Sequence, residues 1–149
     1  GVDAEPADLM GEKNLYQNVK MVTAFAEKSG AVVAATGKND IVSDGRKAYW
    51  IQNGHSMMQT VTGVGCQLSA LTAAYVAANP KHTLEAVTAA VSAIGVCGEL
   101  AYERMSDLDG NASYRNYLID AVYRLDGKKL ERLARVEKVN EDGEKSNEM

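Results

Sequence analysis

Between Gly30 and the pair Thr36-Gly37 lies an unbroken apolar run, Ala31-Val32-Val33-Ala34-Ala35. A strand with one wet face alternates apolar and polar residues. An unbroken run between turn signals instead predicts a strand buried on both faces, as in a parallel sheet. What precedes the run narrows the choice. From Asp8 to Ser29 apolar residues recur at helical spacing, at Leu15, Val19, Val22 and Phe25/Ala26, and Gly30 supplies a stop. A helix feeding a buried strand is one crossover of an α/β fold.

The next segments read as a hairpin. Asp40 to Ser43 and Lys47 to Ile51 are β-rich and flank Asp44-Gly45, and Asn53-Gly54-His55 closes the second strand. Helices follow. Cys66 to Ala78 carries Leu68, Leu71, Ala74, Tyr75 and Ala78, and stops before Asn79-Pro80. Thr83 heads a long helix to Arg104 with Leu84, Val87, Val91, Ile94 and Ala101 on one stripe. Its alanines, with Gly95 and Gly98, predict close packing and burial. A further helix after Asn111 or Ser113 puts Tyr117, Leu118, Ala121, Val122 and Leu125 inward. The sequence order is therefore α-β-β-β-α-α-α. A parallel strand needs parallel neighbours, and the chain offers none, so it reads as a piece of a larger α/β sheet protein.

Composition sets the outer bounds. A chain of 149 residues fits one domain of about 100–200 residues. Apolar residues make up 46% and charged ones 24%, as in globular proteins and unlike disordered or fibrous chains. A net charge of −4 provides no basic field for nucleic acid. Two cysteines are too few for a disulfide framework or a zinc site built on cysteine. With no signal peptide in view, they predict a reducing, cytoplasmic setting. No apolar run reaches ~18 residues without polar interruption, which predicts no membrane partner. The chain opens Gly1-Val2-Asp3 rather than on Met, so translation is expected to start upstream. Residues 1–135 read as the folded part and the charged residues 136–149 as a flexible tail.

The candidate site is Thr62-Gly63-Val64-Gly65-Cys66, opening a helix. Glycines admit positive φ and close approach of a ligand. A helix start offers unpaired N–H groups and a positive dipole end, which together suit a phosphate. No Gly-Lys-Ser/Thr follows, so this is not a P-loop. Leu68 stands where the dinucleotide fingerprint needs its third glycine. A tight loop before a helix is the plainer reading. Cys66 at the helix start would be acidified by the dipole, whereas Cys97 reads as inert core. Thr36-Gly37 ends the buried strand, where open α/β sheets place ligands. His55 and His82 lack a second histidine at ligand spacing, so no metal site is expected. Asp40 and Asp44 read as turn formers, Met57-Met58 as core filler, and Tyr114, Tyr117 and Tyr123 as helix packing.

Several of these segments occur together in one known family. Residues Ala31 to Gly37, Val42-Ser43-Asp44-Gly45, Asn53-Gly54-His55, Val61 to Cys66 with Leu68-Ser69-Ala70, Gly98-Glu99-Leu100-Ala101 and Leu118-Ile119-Asp120-Ala121 resemble hydroxyethylthiazole kinase, an enzyme of thiamin salvage. The match runs from about Gly1 to Arg135. Sister kinases usually place Asp where this chain has Cys66.

The resemblance implies a ribokinase-like α/β fold with a mostly parallel central sheet flanked by helices, present here as its C-terminal part. It implies transfer of the ATP γ-phosphoryl group to the primary alcohol of 4-methyl-5-(2-hydroxyethyl)thiazole, with Mg²⁺. Carried over by position, Thr36 would contact ATP and Gly63 the thiazole. Gly65 and the Cys66 amide would complete an anion hole, and Cys66 would lie near the reacting hydroxyl as the catalytic side chain. The family's Asp-Pro-Val-Gly-Ala-Gly-type and Gly-Asn-x-x-Glu-type segments, with its acidic groups near Mg²⁺, are not found in this sequence. The expected partners are therefore ATP, the thiazole, and either copies of the chain in a trimer or a complementary N-terminal half. The rival readings are another ribokinase-like small-molecule kinase and a non-catalytic fragment that binds nucleotide or mediates assembly.

Overall fold

The computed structural model describes residues 12–37 and 39–140. The first helix, α1, runs Glu12–Ser29, so the part of the predicted helix at residues 8–11 lies outside the described residues. Three strands follow: β1 (Val33–Ala35), β2 (Asp40–Ser43) and β3 (Ala48–Ile51). A 3₁₀ turn at Ser56–Thr60 leads into α2 (Val64–Ala78), α3 (Thr83–Glu103) and α4 (Asn111–Arg124). The chain closes with α5 (Gly127–Leu133) and β4 (Val136–Val139).

The sheet order is β1-β2-β3-β4 and every pairing is antiparallel. The parallel sheet expected from the apolar run is not what the described strands form. The reason is local. Only residues 36–39 join β1 to β2, and a parallel crossover needs a dozen residues or more. Nor is β1 buried on both faces: it is an edge strand, and Ala34 is exposed. The hairpin around Asp44-Gly45 is present with Ser43 opposite Ala48. Asp44 accepts hydrogen bonds from the Arg46 and Lys47 amides, each at 2.8 Å, an Asx turn of the kind its position predicts.

Alternation along the strands separates two cores. Ile41, Ala48 and Val139 face α1, where they pack against Val19 and Val22. Phe25 points outward and Ala26 takes the buried position. Val42 and Ile51 face the other way, onto Leu84, Val87 and Val91 of α3. A third cluster joins α3 to α4 through Ile94, Cys97, Ala101, Tyr114 and Leu118. Met57, Met58 and Tyr117 pack against it as predicted, but Tyr123 is 90% exposed and lies outside the cluster. By length and composition α3 could cross a membrane, which the sequence reading did not anticipate. Its apolar surface is instead mostly buried within this fold.

The C-terminal end also departs from expectation. Asp126 caps α5 by accepting the Lys129 amide at 2.8 Å. Residues 136–139, expected within a charged tail, pair with β3, Ile51 opposite Val136 and Ala48 opposite Val139. Residues 141–149 lie outside the described residues.

Candidate phosphoryl-transfer site

The register collects several chain ends on one side of the sheet. Ala35 lies opposite Ile41, Asp40 opposite Ile51, and Ile51 opposite Val136. Thr36-Gly37 therefore leaves the sheet at the same end as Gln52-Asn53, and Arg135 enters there. Asp40 Oδ1 accepts the Gly37 amide at 2.8 Å. Burial pushes the Asp40 carboxyl up to about 6, against the pull of that amide. Thr36 itself is exposed.

The chain leaving β3 is fixed to α3. Gly95 has no Cβ, and one placed there would stand 2.8 Å from the Asn53 backbone. The missing side chain is what lets the Asn53-Gly54 segment lie on the helix. Gly98 serves similarly for Met58, and the Tyr114 hydroxyl donates to the Gly98 carbonyl at 3.0 Å. His55 Nδ1 accepts the Met57 amide at 3.1 Å and starts the 3₁₀ turn. Its ring stacks on Tyr102 with centroids 3.6 Å apart. Val61 is buried and ends the turn in the α3–α4 core.

Beyond Val61 the chain reaches the surface. Gly63 has φ +98° and caps α2. That conformation strains any residue with a Cβ. Gly65 lies within the first turn of α2 and is not at positive φ. Of the two glycines in the motif, the one a side chain would strain is therefore Gly63. The first helical bond runs from the Gln67 amide to the Gly63 carbonyl at 3.0 Å. The Val64, Gly65 and Cys66 amides precede it and have no intrahelical partner. Gly65 and Cys66 are exposed, and a Cβ at Gly65 would meet nothing within 4 Å. The site thus presents three N–H groups and a thiol at a helix start, an arrangement suited to an anion.

Gly63, Gly65 and Cys66 fall in a single turn. Thr36 lies at the end of the sheet from which β3 exits toward that turn, and among the described residues no hydrogen bond joins it to the turn itself. Cys97 is fully buried, and burial pushes its thiol up to about 11, with the Lys129 charge opposing. It is the inert core residue predicted. His82 is exposed. Among the described residues no group of three or more His, Cys, Asp or Glu side chains could hold a metal ion.

Glu99 stands in one of the segments that carry the resemblance, Gly98 to Ala101, but the sequence assigned it no role. Its Oε1 accepts the Gly54 amide at 2.8 Å, and Arg135 pairs with both of its oxygens. Burial alone would raise its carboxyl. Arg135, the Gly54 amide and Asn53 outweigh that and hold it below the usual carboxylate range. A signal was present, since Glu99 is the one charge in the stretch from Ala86 to Ala101.

The sequence signature of the hydroxyethylthiazole kinase family matches residues 1–128. The chain is 50% identical, over 92% of its length, to a hydroxyethylthiazole kinase of Clostridium acetobutylicum, half of whose length (50%) it covers. It is 36% identical over 84% of its length to a hydroxyethylthiazole kinase 2 of Clostridium botulinum, covering 45% of that protein. The solved structure of a hydroxyethylthiazole kinase protein from Pyrococcus horikoshii OT3 superposes with a TM-score of 0.77 at 34% identity, over 87% of this chain and 49% of that one. The chain therefore spans about half the length of the curated relatives it matches. These likenesses bear out the resemblance carried by the motifs.

Proposed function

We propose, since the chain belongs to the hydroxyethylthiazole kinase family, that it supplies the phosphoryl-transfer half of a kinase acting on the primary alcohol of 4-methyl-5-(2-hydroxyethyl)thiazole. The observation that carries this reading is the open start of α2, with its three unpaired amides and the exposed Cys66 beside them.

Phosphoryl transfer needs charge stabilisation and positioning more than covalent chemistry from the protein. In this reading Thr36 contacts ATP and Gly63 contacts the thiazole. The Gly65 and Cys66 amides take the negative charge that builds on the transferring phosphoryl group. The alcohol oxygen forms a bond to the γ-phosphorus as the bond to ADP breaks. The hydroxyl proton passes to Cys66 Sγ, which acts as the thiolate at the helix start and becomes the thiol. Mg²⁺ would accompany ATP and neutralise phosphate charge. The described residues do not assemble a set of ligands for it.

The rest of the site would come from a complementary segment corresponding to the other half of the relatives. That segment would add strands along the open edge of β1, making the mostly parallel sheet of a ribokinase-like fold, and would cover the exposed face of α2. Assembly of copies into a trimer with sites between subunits belongs to the same proposal.

An ADP-release assay with the thiazole alcohol tests it. The chain alone is expected to show no turnover, and the chain completed by its other half to be active. In the completed enzyme Cys66→Ser is expected to lower kcat by about 10²-fold, the lower range for lost general-base help. Cys66→Asp should retain turnover, because a carboxylate is ionised at neutral pH. An unchanged kcat for Cys66→Ser would reduce Cys66 to a surface residue. Turnover by the isolated chain would remove the need for a second half.

A further inference from the structure

Glu99, on α3, bonds the Gly54 amide at the exit of β3, and none of the roles above uses it. Its side chain is 22% exposed, against 53% for its partner Arg135. The carboxylate is thus shielded, and its bonds count for more than those of a surface pair. Oε1 accepts the Gly54 amide at 2.8 Å and an Arg135 N–H at 2.5 Å. Oε2 accepts Arg135 Nη1 and Asn53 Nδ2, each at 3.2 Å. Every one of these donors belongs to one end of the sheet.

The network then closes on itself. Asn53 Oδ1 accepts the Arg135 amide at 2.7 Å, and its Nδ2 donates to the Leu133 carbonyl at 3.0 Å. Arg135 Nη2 donates to the Gln52 carbonyl at 2.8 Å. The Gln52 amide donates to the Arg135 carbonyl at 2.9 Å. Glu99 thereby ties the exit of β3 to the entry of β4 and pins both to α3. Only His55, the 3₁₀ turn and Val61-Thr62 separate Gly54 from Gly63.

We infer that Glu99 is a positioning residue: by holding the Gly54 amide, with Arg135 as its counter-charge, it sets the height at which the segment from Gly54 to Cys66 leaves the sheet, and so the placement of the Val64, Gly65 and Cys66 amides. The inference rests on the kinase reading for its catalytic consequence but not for its structural one. Transition-state stabilisation by fixed N–H groups tolerates little displacement. A shift of about 1 Å can cost 10²-fold in rate.

The test has two arms. Hydrogen exchange on the chain itself compares wild type with Glu99→Ala and Glu99→Gln. For Glu99→Ala, exchange at Gly54 and across residues 55–66 is expected to rise about tenfold, the loss of one charge-assisted bond. Exchange in α1 and β2 should not change. Glu99→Gln keeps an oxygen for Gly54 and is expected to restore most of the protection. Arg135→Gln, which leaves Glu99 in place, should give the same localised pattern more weakly, and it serves if Glu99→Ala does not fold. In the completed enzyme, Glu99→Ala should lower kcat by up to ~10²-fold with little change in KM for ATP, and Glu99→Gln should recover most of it. Unchanged exchange across residues 54–66, or a uniform rise through α1 and all four strands, overturns the inference. So does an unchanged kcat in an enzyme active as wild type. If the completed wild type does not phosphorylate the thiazole alcohol, the kinase reading fails and the exchange arm still decides the role of Glu99.

Discussion

Two neighbouring helices, α2 and α3, are both strongly apolar and end up in opposite situations. Val64–Ala78 contains no charged residue, yet none of its residues is buried. Thr83–Glu103 carries three glutamates, yet it is buried along most of its length. The difference lies in what each helix meets. α3 sits between the sheet and α4 and fills both clusters there. α2 leans on α3 with Leu68 and Leu71 and leaves Cys66, Ala70, Ala73, Ala74 and Ala77 exposed. Apolar character therefore marks two different things in this chain. In α3 it builds the chain's own core. In α2 it leaves a face that the described residues do not cover, and the Gly63–Cys66 turn lies at the start of that helix. In a monomer a continuous apolar patch of this sort signals an interaction surface.

The contrast is broken most severely at Gly95. A valine there would push a branched side chain into the Asn53 backbone, where an added Cβ already stands at 2.8 Å. Backbone cannot yield as a flexible side chain can. The cost is expected at the upper end for overpacking, about 3 kcal/mol, or a fall in Tm of roughly 6–12 °C for a domain of this size. Thermal melting of Gly95→Val checks it. A loss no larger than that of an exposed α2 substitution would mean that α3 is not the rigid side of the pair.

Periodicity was sufficient for α1, the Asp44-Gly45 hairpin and the three longer helices because their signals are local. It misled at β1, where Ala31 to Ala35 is an unbroken apolar run but the four-residue link to β2 decided the pairing. It missed β4 because Val136-Glu137-Lys138-Val139 is short, and its two central charges resemble a solvated tail. Only pairing with β3, more than 80 positions away in sequence, makes it a strand. The site divides in the same way. Gly63, Gly65 and Cys66 form one contiguous motif and could be read directly. Glu99, Asn53 and Arg135 are scattered along the chain, and their role exists only once the sheet end has formed. Even within the motif the strained glycine is Gly63 rather than Gly65, because the helix begins at Val64, two residues before the Cys66 start read from the pattern.

A milder probe of the packed side is pH, because Glu99 on α3 and Asp40 on β2 hold carboxyls shifted in opposite directions. Glu99, on the packed side, is held below its ordinary value of 4.5, burial being outweighed by Arg135 and the Gly54 and Asn53 donors. The stability it contributes is present above that ordinary value and is lost as pH falls through the lower folded one. Asp40, behind the open β1 edge, is raised from 3.8 to about 6 by burial. The folded chain there holds a proton that the unfolded chain has released, so stability declines as pH rises between those two values. Tm measured from pH 3 to 7 is expected to lose its fall between about pH 4 and 6 in Asp40→Asn, and to lose part of its acid-side fall in Glu99→Gln. An Asp40→Asn profile parallel to wild type would show that the carboxyl is not shielded as its place in β2 implies.

The smallest expected effect on folding, and the most direct probe of the contrast, is a charge on the open face of α2. Ala73 is exposed in mid-helix, and a glutamate there keeps good helix propensity while meeting water. The folding cost is therefore expected within about 0.5 kcal/mol, as for surface positions generally. Association should respond quite differently. If the apolar face of α2 is a docking surface, wild-type chain should sediment as heavier species with rising concentration, and Ala73→Glu should stay at the monomer mass. Burying that carboxylate against an apolar partner would demand either a counter-charge or its protonation, and neither is available for an alanine-lined face. The same substitution should weaken capture of the complementary half, and with it turnover, while Tm of the isolated chain stays put. A wild-type chain that remains monomeric at all concentrations, with Ala73→Glu indistinguishable from it in assembly and activity, would leave α2 as an apolar helix that simply tolerates water, and the difference between the two helices would carry no functional meaning.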